Sequence, residues 1–204
     1  MTVGPWVGPL PEDPRYDPEL LAEGDSRNVV DRYRYWTVEA IVADLDQSRH
    51  QFHVAIENWQ HDFNIGSIVR TANAFNAAGV HIIGKRRWNR RGAMVTDRYV
   101  HVHHHRTVEE FGDWAREAKV EVVGIDNLPG AVGLESTSLP VSSVLMFGQE
   151  GPGLTDEAAS LCSSMVAIAQ FGSTRSINAG AAAAIAMHAW IREHAADLPV
   201  EYGP

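Results

Sequence analysis

From residue 51 onward the sequence switches between short apolar runs and segments of helical periodicity, and this alternation limits the fold more than any other feature of the chain. Phe52 to Glu57 reads as a strand. Ile65 to Ala78 reads as a helix with apolar positions at Ile65, Ile68, Ala72 and Phe75, and Gly79 stands where a helix stop belongs. Val80 to Gly84 predicts a strand, Val108 to Ala118 a helix, Val120 to Asp126 a strand and Val144 to Phe147 a buried apolar strand. Thr155 is placed to cap a helix running to Leu161, with Asp156 and Glu157 in its first turn. Val166 to Ala169 predicts a last strand before a long helix from Ile177 to about His194. Repeated strand and helix units imply an α/β fold, a largely parallel sheet with helices on both faces.

Residues 1–50 read differently, as an acidic arm with five prolines in its first 20 positions. Within Trp36 to Leu45 the pattern TVEAIVADL predicts one short helix capped by Thr37. The expected division is this arm followed by an α/β domain over 51–204. The composition, 21% charged and 45% hydrophobic over 204 residues, is that of a globular protein and excludes disorder or a fibrous repeat. The start has no basic and apolar regions of a secretory signal, and the longest apolar run, around Ala181 to Met187, is too short to cross a bilayer, so no membrane role is expected. With Cys162 as the only cysteine, no intrachain disulfide forms and a reducing cytoplasm is the default location.

A net charge of -9 argues against a nucleic-acid partner until the charges are placed. Residues 1–50 hold ten acids against five arginines, whereas Lys85, Arg86, Arg87, Arg90, Arg91, Arg98 and Arg106 put seven of the 17 cations within 22 residues, opposed only by Asp97. Phosphate attraction depends on the contacting face, so this cluster, Arg86, Arg87, Arg90 and Arg91 above all, is a candidate RNA surface; a solvated basic loop is the plainer alternative. Trp88 and Tyr99, interleaved with it, are candidates for stacking on splayed bases, with core packing an equal contender.

Two glycine-bearing loops are candidate ligand sites. GQEGPG, Gly148 to Gly153, directly follows an apolar strand, and ligands of α/β proteins sit at carboxyl ends of parallel strands. It matches neither a dinucleotide fingerprint nor a P-loop. A plain Gly-Pro-Gly connector is the alternative, against which Glu150 stands in mid-turn. The stretch GSTRSIN brings Gly172, Arg175, Ser176 and Asn178 to the head of an alanine-rich helix, with Ser176 as the expected N-cap. The small side chains of Ala179 to Ala186 predict a close backbone neighbour.

With NIGSIVRT, which carries Asn64 and Arg70, these stretches give three ordered motifs, and the chain resembles the SpoU-type, TrmH-like ribose 2'-O-methyltransferases of the SPOUT superfamily from about residue 52 to 195. The resemblance implies a C-terminal deep trefoil knot, a homodimer with the alanine-rich helix at its interface, an RNA substrate (tRNA or rRNA), and S-adenosylmethionine as methyl donor without a metal. Donor contacts carried over by the motifs are Gly148, Gly151, Ile168, Gly172 and Ile177, with Glu150 shaping the loop. The resemblance assigns proton removal from the ribose hydroxyl to Arg70 of the other subunit, phosphate and arginine holding to Ser176 and Asn64, and loop fixing to Asn178; Arg175, which adds charge at the head of the alanine-rich helix, is a further candidate RNA contact. Gln149 and Gln170 depart from the family pattern, and the arm matches no substrate-recognition domain. A catalytically inactive RNA-binding relative and a base-methylating relative are the alternatives. His101, His103, His104 and His105 suggest a metal site, but no cysteine cluster or second histidine pair completes one, and a pH-dependent addition to the basic face is the preferred reading.

Overall fold

The computed structural model describes residues 2–60, 63–149 and 151–198. The chain forms two compact units, one built from residues 2–48 and the other from Arg49–Asp197.

The first unit has two helices where the sequence predicts one. Helix α1 (Pro18–Glu23) starts on Asp17, whose carboxylate accepts the N–H groups of Glu19 and Leu20, with proline in the first turn. Helix α2 (Val38–Leu45) is capped by Thr37, as its sequence predicts. Asp25 is fully buried and takes Arg27 Nη2 at 2.8 Å and the Tyr35 N–H at 3.0 Å. Burial alone would raise its pKa, but the Arg27 and backbone hydrogen bonds outweigh it and hold the carboxyl down to about 2.

The second unit runs β1 (His50–Asn58), α3 (Ile65–Ala74), β2 (Ala77–Gly84), β3 (Val102–His105), α4 (Val108–Ala118), β4 (Glu121–Ile125), β5 (Val132–Gly133), β6 (Ser143–Phe147), α5 (Asp156–Leu161), β7 (Ser164–Ala167) and α6 (Ala179–His194). Among the described residues the seven strands form one sheet in the order β3-β2-β1-β6-β4-β7-β5, every neighbouring pair parallel. Strand alternation splits the core in two. Phe52, Val54, Ile56, Leu145 and Phe147 pack with α3 and α6 on one face, while Ala55, Val144 and Met146 pack with Phe111 of α4 and Ala158 of α5 on the other. Because β6 lies between β1 and β4 with Phe147 opposite both Ile56 and Ile125, the chain leaves all three strands at one level.

Three sequence expectations shift. Helix α3 stops at Ala74, and Gly79 lies inside β2 rather than ending the helix. The reversal is made by Asn76 at φ 46°, a residue that tolerates left-handed backbone, which frees Ala77 to Gly79 to extend the buried strand. The last strand is Ser164–Ala167, two residues earlier than predicted, with Val166 as its buried anchor. The histidine-rich segment is an edge strand, β3. Among the described residues no helix is long and apolar enough to cross a membrane.

The histidines of that region form a ladder across strands. His81 of β2 is fully buried, shares hydrogen bonds with His53 of β1 (3.1 Å) and His105 of β3 (2.9 Å), and lies 3.8 Å from the Trp114 ring of α4. Burial first, and then the neighbouring His103, lowers His53 to about 4; burial also lowers His81 and His105. These rings stay neutral in the fold where the unfolded chain would protonate them. Their contribution to stability is therefore complete above about pH 6.5, the ordinary histidine pKa, and is lost as the pH falls towards 4. Thermal unfolding should show the midpoint falling steeply over that window, with a shallower fall in His53→Gln; an equally steep profile in the variant would exclude His53 as a source.

Candidate active site

The loop after β6 is shaped by a glycine that nothing can replace. A Cβ on Gly148 would lie 2.0 Å from the carbonyl carbon of Gly153 and 2.1 Å from the Leu154 nitrogen. The loop closes on itself through Gln149 N–H to Gly153 O (3.1 Å) and Gly153 N–H to Gln149 O (3.2 Å). Its far end is held by Asp126 at the end of β4, whose Oδ2 accepts the Leu154 N–H at 2.8 Å. The neighbouring Asn127 donates from Nδ2 to the Arg175 carbonyl at 2.9 Å, tying the loop before α6 to the same strand end. Glu57, buried at the end of β1, accepts Thr155 N–H and Thr155 Oγ1 at 2.8 Å each and Trp59 Nε1 at 2.7 Å, so it sets the start of α5. Asp126, Asn127 and Glu57 escape the sequence reading. The strand-end rule that singles out Gly148 applies equally to them.

The head of α6 meets the head of α3 through one amide. Asn178, not Ser176, is the N-cap of α6: its Oδ1 accepts the N–H groups of Gly180 (2.9 Å) and Ala181 (3.2 Å). Its Nδ2 donates to Asn64 Oδ1 at 2.9 Å. Ser176 misses the cap because the helix starts two residues later, at Ala179. Asn64 is itself the N-cap position of α3, and its carbonyl accepts Ser67 Oγ at 2.8 Å. A Cβ on Gly180 would lie 2.7 Å from Ser67 Oγ, so the small residue at the head of α6 permits this approach.

Between these loops lies a cavity of about 300 Å³. One wall is apolar (Ile125, Phe147, Ile168, Ile177), and the other carries Asp126, Asn127, Gln149, Gln170, Ser176 and Asn178. A concave site with an apolar wall and a few convergent polar groups suits a small-molecule ligand. Of the residues predicted from sequence, Gly148, Gly151, Ile168, Ser176, Ile177 and Asn178 line it, and Asn64 is one hydrogen bond away. Gly172 does not line it and has open space around it, so the donor-contact role expected of it finds no support in this cavity. Arg70 is exposed on α3 and also outside the lining. Glu150 lies outside the described residues.

The basic segment after β2 is held as firmly as the loops. Buried Asn58 donates from Nδ2 to the carbonyls of Lys85 (2.7 Å) and Arg87 (3.1 Å). Gly66 lets the turn Arg90–Ala93 rest directly on α3, since a Cβ there would lie 2.8 Å from Gly92 Cα and from Ala93 N. Lys85, Arg86, Arg87, Asn89 and Arg90 line a second, more open concavity of about 750 Å³. Arg91 is exposed one residue further on, and Arg175 is exposed in the loop before α6. Trp88 and Tyr99 are both buried, which favours core packing over base stacking: Trp88 joins the core beside α3 and shows only an edge to the concavity.

An all-parallel sheet with a mixed cavity and an arginine-lined concavity at the carboxyl ends of its strands defines a ligand-binding α/β protein. The chain belongs to the SpoU rRNA methylase family, whose profile matches residues 51–188. It is 27% identical over 177 residues to an uncharacterized tRNA/rRNA methyltransferase of Synechocystis sp., covering 82% of this chain and 45% of that protein. It is 24% identical over 138 residues to the tRNA (guanosine(18)-2'-O)-methyltransferase of Escherichia coli, covering 66% of this chain and 60% of the relative. The chain thus spans 45% to 60% of the length of these relatives. A crystal structure of an AdoMet-bound rRNA methyltransferase from Sinorhizobium meliloti superposes with a TM-score of 0.64 at 27% identity, covering 74% of this chain and 60% of that one.

Two substitutions separate the roles of the loops. Asn178→Ala should lower unfolding free energy in urea by about 1 kcal/mol through the lost cap. Gly148→Ala should open the glycine loop and abolish small-ligand binding by calorimetry, and binding at wild-type strength would show that the loop does not form the cavity wall.

Proposed function

We propose that this protein transfers a methyl group from S-adenosylmethionine to a ribose 2'-hydroxyl of a structured RNA, tRNA or rRNA, and that it does so as a cytoplasmic homodimer. The observation that carries this reading is the Asn178 to Asn64 hydrogen bond, which sets the first motif against a cavity walled by the second and third. The mixed lining fits the adenine, ribose and amino-acid parts of the donor, and the relative bound to AdoMet supports the same choice. The strand order, with β6 entering between β1 and β4 and β7 between β4 and β5, fits a knotted C-terminal threading.

When bound, the donor supplies a methyl carbon activated by a sulfonium. The ribose oxygen attacks that carbon in line, the carbon–sulfur bond breaks with its electron pair going to sulfur, and the hydroxyl proton must leave. Little new charge develops, so the chain acts chiefly by holding the two reactants in register. Ser176 and Asn178 stand on the polar wall where the hydroxyl would enter, and Asn127 and Asp126 fix the loops on either side. Arg70, exposed and outside its own chain's cavity lining, would complete the site of a second protomer by holding the RNA phosphate through its guanidinium, and the hydroxyl proton leaves to a phosphate oxygen or to water beside it. The outward stripe of α6, with Ala181, Ile185 and His188 exposed, offers the small and apolar face that a second copy requires.

Transfer of labelled methyl to total cellular RNA, followed by alkaline hydrolysis, should give alkali-resistant linkages. Arg70→Ala should lower the rate about 100-fold or more while donor binding survives; near-normal turnover would remove Arg70 from the mechanism. A monomer by sedimentation at micromolar concentration would exclude the shared site. Neutralising Arg86, Arg87, Arg90 and Arg91 should flatten the salt dependence of RNA binding by up to about 0.9 log unit per lost phosphate contact in a duplex region, and an unchanged slope would take the basic concavity off the contact surface.

A further inference from the structure

The basic segment carries two apolar residues in a conformation that side chains rarely adopt. Met94 is 63% and Val95 51% exposed, and both have left-handed backbone, with φ 46° and 69°. A β-branched residue there is a true outlier, strained as well as wetted. Among the described residues the same requirement is met elsewhere by Tyr35, Asn76, Lys119 or a glycine such as Gly153, so Val95 is the one β-branched residue that meets it.

The pair is held in place rather than loose. Short 3₁₀ turns, Arg90–Ala93 and Thr96–Arg98, flank it. The Met94 N–H donates to the Arg91 carbonyl at 3.2 Å, Thr96 Oγ1 donates to the Ala93 carbonyl at 2.6 Å, and Arg90 Nη1 reaches Asp97 Oδ2 at 3.2 Å across the tip. The whole platform stands on α3, the helix that bears Arg70, through the Gly66 to Gly92 contact. Its surroundings are cationic: Arg90, Arg91 and Arg98 are exposed around it, and the one acid of the segment, Asp97, is engaged by Arg90. Trp88 is largely buried and gives the concavity only one edge, beneath Arg90, whereas Met94 and Val95 are exposed apolar side chains beside the arginines.

We propose that Met94 and Val95 form an apolar wedge that enters between unstacked bases of the RNA strand held by the arginine-lined concavity, so that the protein selects looped or single-stranded RNA over duplex. The cationic surround favours a polyanion over a protein face, and the polarizable thioether and the branched methyls fit a base plane without reading its edge. A preset strained tip needs no ordering when the RNA arrives. The inference rests on the RNA reading above and names the form of RNA that the site accepts.

The test compares a hairpin RNA bearing a single-stranded loop with a blunt duplex of equal length, bound to the full chain and followed by fluorescence anisotropy. The wild type should prefer the hairpin. A Met94→Ser, Val95→Gly double variant should lose about tenfold in hairpin affinity, the scale of one base contact, with duplex affinity, salt slope and donor binding unchanged. Its thermal midpoint should rise, because glycine relieves the left-handed strain at position 95. Val95→Thr, which keeps the shape and the strain but adds a hydroxyl, should lose part of the preference. Hairpin affinity that stays at wild-type strength in the double variant overturns the wedge, and so does a loss that tracks dissociation of the dimer in sedimentation, which would make the tip a subunit contact. A wild type that binds hairpin and duplex equally overturns the wedge alone, whereas one that binds neither overturns the RNA reading together with it.

Discussion

One side-chain amide joins the two halves of the candidate site. Asn178 uses its oxygen to cap α6 and its nitrogen to hold Asn64, so neither end is free to turn without leaving a partner unsatisfied. That double use fixes the distance between the heads of α3 and α6. The cavity wall at Asn178, the exposed face of α3 with Arg70, and the basic turn resting on Gly66 all lie on the two helices that this contact joins.

Around that contact the strand ends act as a rigid frame. Glu57 and Asn58 at the end of β1, Asp126 and Asn127 at the end of β4, and Gly148 at the end of β6 each tie an adjoining loop by hydrogen bonds or by close backbone approach. Parallel strands buried on both faces leave polar backbone only at their ends, so loops that carry chemistry gather there and are held by side chains from the neighbouring strand. The same frame separates two surfaces of different character: a mixed cavity for a small ligand and an arginine-lined concavity for a polyanion.

Local signals in the sequence were reliable where their partners lie close in the chain. Thr37 and Thr155 each cap a helix by accepting an N–H three residues on, a contact legible in the sequence alone, and Thr107 does the same for α4, where the sequence reading names no cap. Ser176 is the expected cap of α6 in the sequence, but Asn178 takes that place, and its second bond, to Asn64 114 residues away, has no local signal. Gly79 looks like a helix stop only while the register of β2 is unknown. Trp88 reads as a base-stacking candidate from its arginine neighbours, yet the packing of the segment on α3 turns it inward and leaves Met94 and Val95 outside.

The sequence by itself determined the class of fold and which segments carry chemistry, because helical period, strand alternation, caps and glycine loops are encoded over a few residues. Tertiary structure decided which of those residues share a cavity and which do not. Strand order is set by long-range burial, and only the insertion of β6 between β1 and β4 brings Gly148, Asp126 and Glu57 to one level. Placing Asn178 against Asn64 follows from the packing of α3 and α6 on one face of the sheet, for which no local pattern in the chain provides a signal.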